Sequence, residues 1–369
     1  MRILYAYEYD ASNPHTQSTR PFSILTEVKK KHDVVTYLSV PNLSRKLMAP
    51  RKLFYQAISR DHHLEREWLT LREYAWRVGR VLEATKPDIV FCPSQLIPTY
   101  LESSIPVIYC NDAPFGAMVD FYSFFDNISD LYREQGFRQE FESHRRASRI
   151  VYPSAWARQA AIEMHGADPE KCVEQSFGAN LPYCPTWEFV QQTRASRDTQ
   201  TVNLVLISSD WERKDGKFAV QVVERLASLG VNANLRVIGK GPSAEHERIT
   251  SLGYVDKWTN DGADIFRKTL STSHFIIMPS TAEAYGMSLW EGAAHGLPMI
   301  GRSVGGISSI VKHNETGMLF QPEAIPDTVA EWIQEALQPD TYMRLSEAAY
   351  ADYATRGNWK VFVDKVFDL

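Results

Sequence analysis

Two glutamates near the C-terminal end of the chain, Glu283 and Glu291, flank a short stretch that contains a glycine. The pattern predicts a strand that ends at Pro279, a loop through Gly286 and a helix that begins near Ser288. A carboxylate accepts two hydrogen bonds at once, which suits neighbouring hydroxyl groups on a sugar ring. The first N–H groups of a helix at the mouth of a sheet are unpaired and can hold a phosphate. These residues therefore predict a site for a ligand of sugar–diphosphate–ribose form. Its backbone contacts are expected from Tyr285, Gly286, Met287 and Ser288.

Two adjacent cations, Arg213 and Lys214, lie between a predicted strand, 202–207, and a helix that begins near Gly216. At the carboxyl end of a strand, cations can neutralise a diphosphate leaving group, whose developing charge catalysis must stabilise. Lys214 and Arg213, together with Glu283 of the first motif, are therefore candidate catalytic residues. An alternative stays open for each motif taken singly. Two adjacent cations can be a solvated pair in a loop, and the spacing of the two glutamates is common by chance.

Composition and charge exclude several classes of protein. The chain has 369 residues, 44% of them hydrophobic and 23% charged, which is typical of globular proteins with two or three domains. A formal net charge of −5 disfavours nucleic-acid binding. Four cysteines without a C-x-x-C pair and ten histidines without an H-E-x-x-H motif predict neither a disulfide framework nor a metal site. With neither a signal peptide nor a membrane-spanning window, a cytoplasmic protein is expected.

Short apolar runs alternate with longer amphipathic stretches, as strands and helices do in a parallel sheet covered on both faces. One such series begins at Ile3 and a second begins at Val202. The stretch 181–201 has little apolar periodicity and is interpreted as a linker. We therefore predict an α/β protein of two Rossmann-like, doubly wound domains that face a cleft. The expected bounds are 1–188 for the first domain, joined by a C-terminal helix at 355–369, and 189–354 for the second.

The whole constellation resembles a retaining glycosyltransferase of the GT-B fold, close to glycosyltransferase family four (glycosyl transferases group 1), over nearly the whole chain. Glu283 and Glu291 match that family's E-x7-E pair. Gly305-Gly306 matches its Gly-Gly turn, and 314–317 matches its N-x-x-G loop. The resemblance implies that Glu283 contacts the donor sugar, that Glu291 contacts the ribose, and that the intervening backbone holds the sugar and the diphosphate.

Other motifs match the family less closely. Lys214 matches its phosphate-binding lysine, but Ser209 stands where the family's arginine is usual, so Arg213 is the proposed substitute. Donor contacts are also implied at Gly239, in a G-x-G-P turn, and at Tyr254 and Val255, in a G-Y-V segment.

The acceptor side departs from the family pattern. Many members carry a Gly-Gly pair after the first strand, where this chain has Ser18-Thr19. Hydroxyl groups there can hydrogen-bond a phosphate or an acceptor. Asp112 follows another predicted strand and is either an acceptor contact or the cap of a turn before a proline. The acceptor-side candidates are His15, Ser18, Thr19 and Asp112.

A basic and apolar segment, 44–60, contains five cations and no acidic residue. Related enzymes that glycosylate lipids use such a segment to dock on anionic membranes, so peripheral contact with the inner membrane face is one expectation. An ordinary solvated helix is the other. Pro50 is expected to interrupt any long amphipathic helix here.

The resemblance implies transfer of a hexose from a UDP- or GDP-sugar, with retention, to a glycan, lipid-linked or small-molecule hydroxyl. No cofactor is expected beyond this co-substrate. Because the chain lacks an Asp-x-Asp motif, the reaction is expected to be metal-independent. Three alternatives stay open: a nucleotide-sugar epimerase, a phosphorylase on the same fold, and a non-catalytic sugar-nucleotide binder.

Overall fold

Residues 1–16, 19–38 and 43–367 are described by a computed structural model. The chain divides into two compact units. The first contains the residues up to Gln175 and the C-terminal stretch from Val363, and the second contains Ser176–Phe362. Each unit has a six-stranded parallel sheet, flanked by helices. Within the described ranges, none of the helices is both long and apolar enough to cross a bilayer.

The first unit has the strand order β2-β1-β3-β4-β5-β6. Its strands are β1 (Arg2–Tyr7), β2 (Asp33–Leu38), β3 (Ile89–Cys92), β4 (Val107–Cys110), β5 (Arg149–Tyr152) and β6 (Cys172–Glu174). Its helices are α1 (Arg20–Val28), α2 (Leu43–Ala57), α3 (Trp68–Thr85), α4 (Phe115–Met118), α5 (Asp130–Arg146) and α6 (Ala155–His165). Three 3-10 turns lie at Leu64–Arg66, Ile97–Tyr100 and Ser123–Phe125.

The second unit has the strand order β12-β11-β10-β7-β8-β9. Its strands are β7 (Val202–Ser208), β8 (Ala233–Gly239), β9 (Ile249–Ser251), β10 (Phe275–Met278), β11 (Met299–Arg302) and β12 (Gly317–Phe320). Its helices are α7 (Trp187–Ala195), α8 (Gly216–Ser228), α9 (Asn260–Ser271), α10 (Met287–Ala293), α11 (Pro326–Ala336) and α12 (Pro339–Arg356), with a 3-10 turn at Gly305–Ser309. A last helix, α13 (Trp359–Phe367), begins in the second unit and ends in the first.

The central strands are buried along their whole length, because helices cover both faces of each sheet. Every residue of β3, β4 and β10 is buried. The registers are parallel throughout, with Ile3 opposite Ile89 and Ile276 opposite Met299. The predicted fold class, two Rossmann-like α/β units, is confirmed. The two three-residue strands β6 and β9 escaped prediction because so short a run carries little periodicity.

The interpretation of residues 181–201 as a linker is wrong. The segment contains α7, whose first turn is capped by the Thr186 hydroxyl, which accepts from the Phe189 N–H at 3.3 Å. Val190 is fully buried. Arg197 is also buried and donates to the backbone oxygen of His295 at 2.8 Å. The segment therefore packs into the second unit, although its sequence is largely polar.

The two units are divided after Gln175, not after residue 188 as expected. Phe177 stacks on Trp359 at a ring distance of 5.6 Å and lies edge-on to Tyr285 at 5.5 Å. Asn180 accepts a hydrogen bond from the Trp359 indole at 3.1 Å. These contacts pack the connection between β6 and α7 against the second unit. The C-terminal return to the first unit likewise begins at Val363 rather than at 355.

Helix α2 continues through Pro50, so the predicted interruption is wrong. Polar contacts hold the helix on both sides of the proline. Before it, the Ser44 N–H donates to Glu73 at 2.9 Å, and after it Arg51 donates to Glu67 at 2.8 Å. These anchors offset the one backbone hydrogen bond that a proline removes.

Helix α10 packs closely on β10 because Gly292 has no side chain. A Cβ at Gly292 would stand 2.4 Å from Cγ2 of Ile276. We expect Gly292→Ala to lower the free energy of unfolding by about 1–3 kcal/mol, since the helix must move off the strand. Chemical denaturation measures this loss. The matched control is Gly79→Ala in α3, where no described atom beyond the neighbouring backbone of its own helix lies within 4 Å of the added Cβ. It should be neutral or stabilising by about 0.5–1 kcal/mol, and equal losses in both variants would contradict the close approach.

Candidate functional site

The predicted site residues of the second unit gather at one edge of its sheet. The chain leaves β7 at Ser208 and β10 at Met278, and each strand is followed by a loop and then a helix. Carboxyl ends of parallel strands share one edge, where ligands of doubly wound sheets bind. A backbone hydrogen bond of 2.9 Å from the Thr281 N–H to the Arg213 carbonyl joins the two loops.

Glu283 lies between both predicted catalytic cations. Its Oε2 is 2.5 Å from Lys214 Nζ and 3.0 Å from Arg213 Nη1. Arg213 Nη1 also donates to the Ala282 carbonyl at 2.8 Å. The Lys214 side chain is only 8% exposed and that of Glu283 14%. The structure thus brings the three residues together in a largely buried cluster with two positive charges and one negative charge.

Opposing effects act on the ionisation of Glu283. Burial raises the pKa of a carboxyl group, but Lys214 and then Arg213 favour the carboxylate. The balance holds the pKa of Glu283 below its ordinary value. Near neutral pH the residue is therefore an anion that can accept hydrogen bonds.

The loop that carries both cations is held by Asp215. This residue has a φ of 47°, in the left-handed region, and caps α8 by accepting from the Phe218 N–H at 3.2 Å. Its other oxygen accepts from Arg302 Nη2 at 2.7 Å. The Arg302 guanidinium in turn lies over the rings of Phe218 and Phe320. The sequence carries no local sign of this pairing, because Arg302 is distant in the chain.

Glu291 lies one turn inside α10, as predicted, and its side chain is only 4% exposed. One of its oxygens forms a short ion pair with Lys257. Burial raises the pKa of Glu291, and the nearby Lys257 only partly opposes this effect. Sequence reasoning missed Lys257, although it follows the recognised G-Y-V segment by two residues.

The backbone between the two glutamates is shaped by two glycines. Gly286, with a φ of 103°, precedes the seven-residue helix α10, which begins at Met287, close to the predicted start. The Gly306 N–H donates to the Glu283 carbonyl at 3.1 Å. A Cβ at Gly306 would lie 2.3 Å from the Ala284 carbonyl oxygen, so the Gly-Gly turn permits this approach.

The side chains of the other predicted donor contacts differ in exposure. The Tyr285 ring is buried, and its hydroxyl accepts from the Trp290 indole at 2.9 Å, so its side chain is not available to a ligand. Met287 and Ser288 are partly exposed.

Gly239 ends β8 with a φ of 100°, and its N–H donates to the Gly253 carbonyl at 2.7 Å. This bond joins the G-x-G-P turn to the G-Y-V segment. Tyr254 is 80% exposed and Val255 partly exposed.

In the first unit, Asp112 forms an ion pair with Arg20, whose Nη1 is 2.8 Å from Asp112 Oδ1. Arg20 is buried at the start of α1, directly after Thr19. The Thr19 hydroxyl donates to the Pro14 carbonyl at 3.3 Å, and His15 is exposed. Ser18 lies outside the described residues. The structure thus links Asp112 to the start of α1, and the acceptor role of these residues stays a prediction.

Sequence reasoning missed a buried carboxyl group at the carboxyl edge of the first unit's sheet. Glu8 follows β1 directly, is 5% exposed, and accepts from the Ser94 hydroxyl at 2.7 Å. Burial raises its pKa. Its position just beyond a strand's carboxyl end was the available signal. Among the described residues, no group of three His, Cys, Asp or Glu side chains is arranged to hold a metal ion.

Two family models match most of the chain. Residues 25–174 match the model described as Glycosyltransferase Family 4, and residues 201–339 match the one described as Glycosyl transferases group 1. The chain belongs to the family-four-like glycosyltransferases of the GT-B fold. The sequence-based recognition and fold class are confirmed.

Solved glycosyltransferase structures share the fold. Sucrose-phosphate synthase from Thermosynechococcus elongatus matches with a TM-score of 0.69 and 14% identity, over 100% of this chain and 98% of that one. Anabaena HepE, in complex with UDP-glucose, matches with a TM-score of 0.62 and 14% identity, over 100% and 98% of the two chains.

Among curated proteins, a sucrose synthase from Nitrosomonas europaea is 28% identical over 133 residues. That match covers 34% of this chain and only 16% of the relative. This chain therefore matches only a small part of the length of the curated sucrose synthases that it resembles.

Replacing Glu283 by glutamine should destabilise this glycosyltransferase in a pH-dependent way. The lowered pKa means that the carboxylate stabilises the fold above its unfolded pKa of about 4.3. That contribution is lost as the pH falls through the lower folded value. At pH 7 we expect Glu283→Gln to lower the free energy of unfolding by about 1–3 kcal/mol, because two buried cations lose their partner.

Urea unfolding between pH 7 and about pH 2.5 measures this difference, which should stay constant down to about pH 4.3 and narrow below that pH. Glu315→Gln is the matched control, since Glu315 pairs with Lys312 at an exposed position. It should change stability by less than about 1 kcal/mol. A loss for Glu283→Gln that stays constant down to about pH 2.5 would contradict the lowered pKa.

Proposed function

We propose that this chain transfers a hexose from a nucleotide-diphosphate sugar to a hydroxyl acceptor, with retention at the anomeric carbon and without a metal ion. The observation that carries the proposal is the contact of Glu283 with both Lys214 and Arg213 at the carboxyl edge of the second sheet. A glycosyltransferase that uses no metal ion needs side-chain cations for the departing diphosphate, and a carboxylate suits sugar hydroxyls; this cluster contains both.

The charges of the cluster support this assignment. Two cations and one carboxylate leave a net positive charge in a largely buried place, which favours an anionic ligand. When a diphosphate pairs with Lys214 and Arg213, the carboxylate of Glu283 becomes available to accept hydrogen bonds from two neighbouring hydroxyls of the sugar. The donor would thus replace the ion pairs of Glu283 by hydrogen bonds from its hydroxyls, while its diphosphate pairs with both cations.

The family resemblance implies a front-face reaction. The bond from the anomeric carbon to the diphosphate oxygen breaks, and the bond to the acceptor oxygen forms on the same face. The acceptor's proton passes to the departing diphosphate oxygen, so no separate base is required. In this proposal, Lys214 and Arg213 stabilise the negative charge of the leaving group, which is the work that a metal ion does elsewhere.

Glu291 is the proposed ribose contact, and the backbone near Gly286 is the proposed diphosphate contact. The neighbouring Lys257 must then share Glu291 with the ribose or release it. A UDP-sugar donor is supported by the structural likeness to Anabaena HepE, whose complex contains UDP-glucose. GDP-sugars belong in the same test.

The acceptor is proposed to be a glycan, a lipid-linked sugar or a small molecule bound by the first unit. The outer surface of α2 supports contact with an anionic membrane. Leu47, Leu53 and Phe54 are each more than half exposed, and Lys46 and Lys52 beside them are also exposed. Exposed apolar and cationic side chains on one helix are typical of segments that lie in a membrane interface.

Donor binding gives the first test of the proposed function. Thermal shift in EDTA, against UDP-, GDP- and ADP-sugars, should give one clear stabilisation, of about 2.7 kcal/mol at 100 times the dissociation constant. With labelled donor and a hydroxyl acceptor, Lys214→Ala should lower the transfer rate about 100-fold or more, because the leaving group loses a cation. Lys217→Ala, an exposed lysine on α8, is the matched control and should transfer normally.

Several outcomes would overturn the proposal. Absence of stabilisation by every sugar nucleotide, in protein shown to be folded, removes the donor site. Conversion of the donor without an acceptor identifies an epimerase, and sugar release to phosphate identifies a phosphorylase. Ligand stabilisation without any turnover identifies a non-catalytic binder. Inversion of the product's anomeric configuration, measured by NMR, would contradict retention.

Membrane contact is tested with vesicles that contain phosphatidylglycerol. Each lysine near an anionic surface contributes about 1 kcal/mol. Replacing both Lys46 and Lys52 by alanine should therefore weaken partitioning roughly 30-fold in a sedimentation assay. Lys29→Ala, an exposed lysine just after α1, is the control and should bind as the unmodified chain does. Equal binding to neutral phosphatidylcholine vesicles would contradict an electrostatic contact.

A further inference from the structure

The first unit contains a cavity of about 370 Å³ that the proposed reaction has not used. It is bounded by the start of α3, the 3-10 turn Ile97–Tyr100 and the first half of α5. Its volume is within the range of small-molecule sites. The described lining residues include four arginines but one carboxylate, Glu134. The arginines are Arg51, Arg66, Arg72 and Arg138.

The positive charge of this cavity is only partly balanced. Arg51 donates to both oxygens of the buried Glu67, at 3.0 and 2.8 Å. Arg72 and Arg138 are exposed, and neither has a carboxylate partner within the part of the chain that the structure describes. Two guanidinium groups thus remain available to an anion, and a guanidinium binds phosphate or carboxylate through paired hydrogen bonds.

Two buried polar atoms of the lining residues also lack partners. Arg66 is 7% exposed and donates through Nη1 to Gln139, but its Nε has no hydrogen-bond partner among the described residues. Gln135 donates to Glu67 at 3.1 Å, while its Oε1 has no described partner. Buried polar groups are nearly always satisfied in folded proteins. Arg66 and Gln135 are therefore two polar lining residues whose hydrogen-bonding capacity is not fully used among the described residues.

An aromatic surface lies beside the cations. Trp68 is 47% exposed although it is large and apolar. The Arg72 guanidinium lies over its ring at 5.5 Å and over the Tyr100 ring at 5.7 Å. An aromatic ring with one free face can pack against the apolar face of a sugar, while nearby polar groups fix its orientation.

The fold places this cavity at the edge where the first unit is expected to bind its ligand. The turn Ile97–Tyr100 lies in the connection that leaves the carboxyl end of β3 at Cys92. Helix α3 precedes β3, so its first turn lies toward that same edge. Ligands of parallel sheets bind beyond the carboxyl ends of the strands.

We propose that this cavity binds the acceptor through an anionic group, so that the acceptor is a sugar that carries a phosphate or a carboxylate. Arg72 and Arg138 bind the anion, Arg66 and Gln135 hydrogen-bond it or a neighbouring hydroxyl, and Trp68 packs on the ring. The acceptor role rests on the proposed glycosyltransfer. The binding of an anionic sugar does not, because it requires no donor.

Isothermal titration of the full chain tests the proposal with three probes: glucose 6-phosphate, glucuronate and glucose. We expect at least one of the anionic sugars to bind, and which one binds identifies phosphate or carboxylate as the group. Glucose should bind at least 10-fold more weakly. The double variant Arg72→Gln, Arg138→Gln should weaken binding of the anionic sugar at least 10-fold, and both positions are exposed, so folding should be unaffected.

The chain contains a closely matched control on the same helix. Arg80 is exposed and lies over Trp76 at 5.4 Å, as Arg72 lies over Trp68, but it does not line this cavity. Arg80→Gln should bind the probe as the unmodified chain does. Lys214→Ala should also keep probe binding, because Lys214 belongs to the second unit.

Binding of neither anionic sugar, or equal binding of glucose, would overturn the proposal. So would normal binding by the double variant, or loss of binding in Lys214→Ala, which would place the probe at the diphosphate site. The two proposals fail separately. If sugar nucleotides do not bind but the arginines still control glucose 6-phosphate binding, the transferase proposal falls and the anion site stands.

Discussion

The ion pairs of Glu283 with Lys214 and Arg213 are the interaction on which the rest of the second unit's site depends. A buried carboxylate is costly unless cations and hydrogen bonds compensate it, and here the two cations come from a different loop. Both loops must therefore leave their strands at the same edge and at matching heights. The parallel register of β7 and β10, with Leu204 opposite Phe275, provides that alignment. Asp215 and Arg302 then hold the cationic loop from behind.

The two units use the same type of sheet for different chemistry. In the second unit, the carboxyl edge combines a carboxylate with cations and tight glycine turns, which suits a sugar joined to a diphosphate. In the first unit, the corresponding edge has arginines and an exposed tryptophan around a cavity. The family match covers parts of both units, and the arginines of the cavity come from α2, α3, α5 and the 3-10 turn Leu64–Arg66. Under the proposed function, donor and acceptor would therefore be recognised by different side chains on the same type of sheet.

The sequence was informative wherever a local pattern determines the structure. Buried apolar runs predicted the central strands, and Glu283, Lys214 and Glu291 were found from motifs that lie at strand ends. Lys257 and Arg302 were missed because their partners, Glu291 and Asp215, are distant in the chain and only tertiary packing joins them. Helix α7 was taken for a linker because it buries a single valine, Val190, within a polar sequence. Pro50 was expected to break the helix, as proline usually does, but α2 continues through it and is held by the contacts of Ser44 and Arg51.

The pair of Lys257 and Glu291 has a consequence for affinity. Lys257 pairs with the carboxylate that the proposed ribose contact requires, so a bound ribose would have to compete with this lysine. The free energy of donor binding would then be reduced by the free energy of the Lys257–Glu291 ion pair that the ribose replaces. A ligand that offers only one hydroxyl replaces a charge-assisted pair with a single weaker hydrogen bond and gains little. If Glu291 contacts the ribose as proposed, the lysine would therefore favour ligands with two adjacent hydroxyls over ligands with one.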